Sequence, residues 1–135
     1  MVGRFYEDLA ERLVSSAMRV FVEAGAEGVD VFDVPGAYEL PFAAQEVART
    51  GRYAGVACLG AVIRGETPHF DYVCDAVTRG IGDAVRTYKI PIGFGVLTTD
   101  DVQQAMARAG MKDANKGYEA LLTAVEMIHV MRSIS

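Results

Sequence analysis

Apolar positions along this chain alternate between helical spacing and short unbroken runs. Leu9, Leu13, Ala17, Val20, Phe21 and Ala24 recur at the repeat of one helix face. Glu7 and Asp8 put acid at the start of that helix and Gly25 supplies a stop. "GVDVFDV" predicts a short strand ending at Pro35-Gly36. A second helix is expected from about Leu40 to Thr50, with Pro41 in its first turn and Gly51 closing it. "AGVACLGAVI" is apolar without alternation, the pattern of a strand buried on both faces of a parallel sheet. The clearest helix carries Phe70, Val73, Cys74, Val77, Ile81, Ala84, Val85 and Tyr88 on one stripe. Gly80 and Gly82 interrupt it, where glycine costs about 1 kcal/mol relative to alanine. Close packing against a neighbouring element is the expected reason. "PIGFGVLT" predicts a further strand, and Thr99 or Asp100 can cap a helix through about Ala109, with Gly110 as its stop. A last helix carries Tyr118, Leu121, Leu122, Val125 and Ile128.

Strands alternating with helices predict an α/β fold, a parallel sheet covered by helices on both faces. Only three strands can be counted, because the chain opens on "MVGRF" and passes directly into a helix. Its 135 residues suit one domain, and a hydrophobic fraction of 51% excludes a disordered chain. A net charge of −5 argues against nucleic acid or an anionic membrane as partner. A small anionic ligand needs only a few local cations and stays open. Cys58 and Cys74 form no CxxC pair and fall at apolar positions, so inert thiols are expected. With no signal peptide or membrane-length apolar run, the expected setting is soluble and cytoplasmic. Gly80-Ile-Gly82 and Gly93-Phe-Gly95 are not dinucleotide fingerprints, and neither a Walker A sequence nor a metal-ligand cluster is present. No cofactor or metal is expected.

In open parallel α/β sheets ligands bind beyond the carboxyl ends of the strands. Four segments are expected there: Gly3 to Tyr6, Pro35 to Glu39, Ala61 to His69, and Phe94 to Thr99. Thr67-Pro68 reads as an N-cap followed by proline at the first helical position. The free N–H groups of such a helix start can hold an anion such as phosphate. His69 follows in the first turn, and imidazole is the side chain suited to proton transfer near neutral pH. The plainer alternative is a simple cap followed by a surface histidine. Arg108 and Lys116 bracket "AGMKDA"; they either complement a helix dipole or grip a phosphate. Glu39 is either an early-helix acid or an acceptor for polyol hydroxyls, and Phe5 either packs or stacks on a flat ring. His129, near the apolar face of the last helix, reads as structural.

Together "VPGAYELPFAAQ", "LGAVIRGETPHFDYV", "FGVLTTDD" and "RAGMKDANKGYEALLTAVEM" resemble the lumazine synthase family, in the family's order and over Val2 to Met131. The resemblance implies a three-layer αβα sandwich with a flavodoxin-like sheet, as one domain over residues 1–135. It implies the condensation of 5-amino-6-(D-ribitylamino)uracil with 3,4-dihydroxy-2-butanone 4-phosphate to 6,7-dimethyl-8-ribityllumazine, phosphate and water, without cofactor or metal. In that pattern Phe5 stacks on the pyrimidine. Ala37, Tyr38 and Glu39 hold the ribityl chain, and Ala61, Val62 and Ile63 present backbone groups to the uracil. Glu66 and Thr67 give backbone donors to the phosphate, and His69 moves protons. Phe94 walls the pocket, Arg108 binds the phosphate and Lys116 sits beside the substrates, these three coming from a neighbouring subunit. The family forms homopentamers, many of them joined into icosahedral shells, with riboflavin synthase as an implied partner. The "GMKDANKG" connection has the length typical of shell-forming members.

Two departures follow. The family carries a strand before its "GRF" motif, and here Met1 falls where that strand has an apolar residue, so the first strand is expected to be missing. A missing strand would leave a new sheet edge exposed. Tyr6 also stands where asparagine is usual. Two rival functions compete: an archaeal-type riboflavin synthase, and a catalytically weak flavin-binding or shell scaffold protein. The motifs "RGETPHFDYV" and "NKGYEA" match lumazine synthase better than the first, and His69 with Arg108 and Lys116 speaks against the second.

Overall fold

The computed structural model describes residues 1–26, 28–110 and 115–135. Four strands form one parallel sheet: β1 (Val2–Gly3), β2 (Asp33–Val34), β3 (Val56–Ile63) and β4 (Ile92–Thr99), in the order β2-β1-β3-β4. The helices are α1 (Glu7–Ala24), α2 (Leu40–Arg49), α3 (His69–Tyr88), α4 (Val102–Arg108) and α5 (Lys116–Ile134), with one 3-10 turn over Ala37–Glu39.

The sheet corrects the expected strand count. The first strand is present and lies in the interior of the sheet, Val2 pairing with Asp33 on one side and Leu59 on the other. Two residues are too few to show periodicity, so only pairing reveals the strand. Its neighbour is equally short: of "GVDVFDV" only Asp33 and Val34 join the ladder. Arg4 ties this corner together through Asp33 at 2.7 Å, Glu7 at 3.2 Å and Glu11.

Two apolar clusters cover the faces of the sheet. Leu9, Leu13, Ala17 and Val20 of α1 meet Leu59, Ala61 and Leu97, with Ala105 and Ala109 from the α4 region and Ala120 and Leu121 from α5. On the other face Leu40 and Ala44 of α2 and Phe70, Val77 and Ile81 of α3 meet Cys58, Val62 and Val96. Alternation along β3 and β4 sends successive side chains into different clusters, which is why both strands read as unbroken apolar runs. Cys58 is buried, and desolvation pushes its thiol up to about 11. Cys74 is half-buried with its thiol also raised by desolvation, so both cysteines are inert.

Glycines set the closest approaches. A Cβ on Gly93 would fall 1.9 Å from Ala120 O, and one on Gly117 would fall 2.2 Å from Leu13 O, so α5 lies directly on β4 and α1. Gly80 packs on Pro41 as expected of α3 against α2, whereas Gly82 meets only Arg86 Nη1 at 3.6 Å. Gly25, φ 67°, ends α1 in the left-handed conformation that favours glycine.

Two caps differ from expectation. Helix α3 begins at His69 with Pro68 at its N-cap, so Thr67 sits one residue outside and accepts from His69 N at 3.4 Å. Asp101, rather than Thr99 or Asp100, caps α4 by accepting from Gln104 N at 2.8 Å. The "GMKDANKG" connection falls partly on residues 111–114, outside the described residues.

Candidate active site

The carboxyl ends of β1, β2 and β3 converge on a shelf floored by glycine. A Cβ on Gly3 would lie 3.0 Å from Gly36 C, and one on Gly60 would lie 3.8 Å from Gly3 Cα. Backbone therefore meets backbone between Gly3 and Gly36, whereas the Gly60 position is covered first by the Leu40 side chain, Cδ1 at 3.4 Å. The Gly36 position also lies within 3.4 Å of Glu39 Oε1 and 3.6 Å of Phe5 Cβ. Phe5 and Glu39, distant in sequence, thus border the same glycine.

Phe5 is 75% exposed, which leaves most of its ring open to stack on a ligand. Its ring meets the edge of Tyr6 at 4.9 Å, and Tyr6 packs against the α1 cluster. Ala37 is buried, Tyr38 is exposed and Glu39 is half-buried on the 3-10 turn. β1 pairs with β3 at Leu59 and then turns away into α1, so Ala61, Val62 and Ile63 border the shelf. Beyond them Glu66, Thr67 and His69 are exposed at the start of α3, which packs against the 3-10 turn.

Three expected site residues lie elsewhere in the chain. Phe94 is not beyond the end of its strand. It is the third residue of β4 and pairs with Cys58, whereas Ala61 pairs with Leu97. Three residues at about 3.3 Å each put it roughly 10 Å back along the sheet. Arg108 and Lys116 flank an antiparallel bridge between Ala109 and Asn115, which sets the two residues side by side. Both are exposed; Arg108 Nη1 donates to Gln104 O at 3.0 Å, and Lys116 Nζ meets Glu119 at 3.1 Å. This pair belongs to the layer of α1 and α5, while His69 opens a helix of the opposite layer.

A cavity of about 600 Å³ opens at the amino edge of the sheet, lined by residues such as Phe21, Val31, Val56 and Ile128, and none of the candidate residues lines it. His129, read as structural, is exposed at its rim. Among the described residues no three His, Cys, Asp or Glu side chains group as metal ligands, and no helix is long and apolar enough to cross a membrane.

The family model described as 6,7-dimethyl-8-ribityllumazine synthase matches residues 1–132. The chain belongs to the lumazine synthase family. It is 49% identical over 135 residues to the 6,7-dimethyl-8-ribityllumazine synthase of Syntrophus aciditrophicus, covering 98% of this chain and 88% of that protein. A protein of the same name from Helicobacter hepaticus is 49% identical over 134 residues, covering 98% of this chain and 86% of its own.

In this lumazine synthase family chain three further groups order the candidate residues in ways that residue type alone does not announce. Gly36 lets Phe5 and Glu39 meet at one backbone position, a role that a single glycine does not signal in sequence. Asn115 is fully buried and caps α5 by accepting from Gly117 N at 2.8 Å and Tyr118 N at 3.2 Å. It also donates to Arg12 O and Gly110 O, which holds Arg108 next to Lys116. Arg64, adjacent to the shelf, is held by Asp100 at 2.9 Å, a hydrogen bond that raises its guanidinium pKa further.

Proposed function

We propose that this chain, as one domain over residues 1–135, condenses 5-amino-6-(D-ribitylamino)uracil with 3,4-dihydroxy-2-butanone 4-phosphate to give 6,7-dimethyl-8-ribityllumazine, phosphate and water. The observation that carries this reading is the meeting of Phe5 and Glu39 at Gly36, beside the 3-10 turn on which the His69 helix packs, in a chain matched over 1–132 by the family. A flat pyrimidine fits beside the Gly36 backbone, stacked by Phe5 and hydrogen-bonded by the backbone of Ala61 to Ile63. Glu39 accepts from the ribityl hydroxyls beside Ala37 and Tyr38. The amine attacks the ketone and water leaves to form an imine. Loss of a carbon-bound proton then expels phosphate, and ring closure releases a further water. His69 moves these protons, a role worth roughly 10²–10⁴-fold. Glu66 and Thr67 offer N–H groups to the phosphate at the helix start.

Arg108, Lys116 and Phe94 complete the site from a second copy of the chain. The support is that Arg108 and Lys116 lie in the layer opposite the His69 helix, and that Phe94 lies about 10 Å along the sheet from the register of Ala61. Phe42 and Tyr72, on the α2–α3 layer, leave apolar surface for such a neighbour to cover. Holding two reactants together in this way can supply roughly 7–11 kcal/mol of a barrier. The same reading makes the protein a cytoplasmic homopentamer, of the kind that many family members join into shells able to enclose riboflavin synthase.

The test mixes purified protein with both substrates and follows lumazine absorbance against the uncatalysed rate. Acceleration is expected, and a rate equal to background refutes the reading. Arg108→Ala should raise KM for the phosphorylated substrate; an unchanged KM removes it from the phosphate site. Analytical ultracentrifugation reads the subunit number, and a monomer at assay concentration excludes the shared site.

A further inference from the structure

Arg64 follows directly on Ile63, at the point where β3 gives way to the turn that carries Glu66 and Thr67. Its backbone N–H donates to Thr99 O at 2.9 Å. Its Nε donates to Asp100 Oδ1 at 2.9 Å, and Nη1 reaches Asp71 Oδ1 at 3.5 Å. The guanidinium carbon lies 4.4 Å from the centroid of the Phe70 ring, which is buried in the α2–α3 cluster. One side chain therefore touches the end of β4, the first turn of α3 and the core beneath it.

Two carboxylates face this single guanidinium, so its charge is already more than balanced. That makes Arg64 a poor ligand for a phosphate, although it neighbours the turn that would hold one. Its stabilising effect on the fold is also small, because Arg64, Asp71 and Asp100 are all exposed and such pairs contribute little. What the arrangement does supply is direction. A planar fork bonded to Asp100 and stacked on an immobile ring admits one orientation. The turn itself has few other restraints nearby: a Cβ added at Gly65 would meet nothing within 4 Å.

We propose that Arg64 is a positioning residue that fixes the phosphate-holding turn, Gly65 to Thr67, relative to His69 and to the carboxyl end of β4. The inference rests on the functional reading above. Asp100 and Asp71 are its anchors, and Phe70 is the plane against which it is set. A displacement of about 1 Å in such a turn is enough to lower a rate about 10²-fold.

The experiment compares wild type with R64A, R64K, D100N and D71N. Arg64→Ala is expected to lower kcat/KM about 10²-fold, with a raised KM for the butanone phosphate and an unchanged KM for the pyrimidine. Its melting temperature should stay within a few degrees of wild type. Arg64→Lys keeps the charge but loses the fork and the stack, so it should recover only a minor part of the rate. Asp100→Asn and Asp71→Asn should each show a weaker form of the same KM shift. Equal loss on both substrates with a fall in melting temperature, or full rescue by lysine, overturns the proposal. Inorganic phosphate titrated into wild type and R64A by calorimetry gives a reading free of turnover. Weaker binding by R64A is expected and equal affinity overturns the proposal, whereas a wild type that makes no lumazine refutes the functional reading instead.

Discussion

Replacing Asn115 separates the two halves of one buried side chain. Its orientation is dictated by its neighbours: two backbone N–H groups, of Gly117 and Tyr118, face its oxygen, and two carbonyls, of Arg12 and Gly110, face its nitrogen. Asn115→Ala removes an N-cap, typically about 1 kcal/mol. It also leaves the carbonyl side without donors in a site the side chain fills completely. Each carbonyl left without its donor costs about 1–3 kcal/mol, so with the lost cap a total loss of about 3–7 kcal/mol is expected. Asn115→Asp keeps both cap bonds but turns a carboxylate oxygen toward two carbonyl oxygens. Its destabilisation should be large at pH 7 and should ease as pH falls and the introduced carboxyl takes up a proton. Guanidinium unfolding at fixed protein concentration measures both variants. The same side chain holds the Ala109–Asn115 bridge that sets Arg108 beside Lys116. Asn115→Ala protein that folds should therefore also show a raised KM for the phosphorylated substrate alone. A loss below about 1 kcal/mol in both variants would refute the buried network, since surface caps alone account for that much. An unchanged KM would refute its link to the two cations.

Three further predictions follow from buried or strained positions. The Cys58 thiol, raised to about 11 against 9.0, keeps its proton in the folded state longer than in the unfolded one. Its stabilising effect is complete below pH 9 and declines as pH rises toward 11, by roughly 1.4 kcal/mol per unit. Melting curves of wild type and Cys58→Ala over pH 8–11.5 should converge in that window, and parallel curves would contradict it. Gly93→Ala drives a methyl into Ala120 O and should cost about 3 kcal/mol or more. Gly25→Ala meets open space and should cost only about 1–2 kcal/mol for its φ of 67°; equal melting shifts would reject the distinction. Lys89 closes α3 with φ 51°, the one non-glycine residue at positive φ among those described. Lys89→Gly should raise the melting temperature by a few degrees, up to about 1 kcal/mol, and a fall would show that the lysine side chain compensates its strain.

Local periodicity carried the helices well. The α3 stripe from Phe70 to Ala84 packs on the sheet as its spacing implies, and Gly25 and Gly51 both take positive φ just past their helices. What escaped depends on partners far away in sequence. β1 is visible only through its pairing with Asp33 and Leu59. Asn115 gains its role from Arg12, and Arg64 from Asp100, neither of which its own neighbourhood signals. Phe5, Glu39 and His69 do follow strand ends, as expected of their position from the rule that ligands bind beyond those ends. It misplaced Phe94 because β4 begins at Ile92, two residues before it.

The same topology explains why one chain divides the candidate chemistry. Parallel strands deliver every β–α turn to one edge, so the flat-ring shelf and the His69 helix start arise together. The helices after those turns then pass to alternate faces: α2 and α3 to one, α1, α4 and α5 to the other. Cations carried at the end of α4 and the start of α5 thus leave the shelf's side of the molecule with their helices. Shortening the α4–α5 connection cannot return them, because the bridge at Ala109–Asn115 and the Asn115 bond to Arg12 fix that corner to α1. The proposed reading therefore uses a second copy to bring Arg108 against His69. A mixture of His69→Ala and Arg108→Ala proteins, each impaired alone, should therefore regain activity when unfolded and refolded together, since some interfaces then pair two intact halves. Absence of any regain, with both variants present in the same oligomers, would place the whole site within one chain.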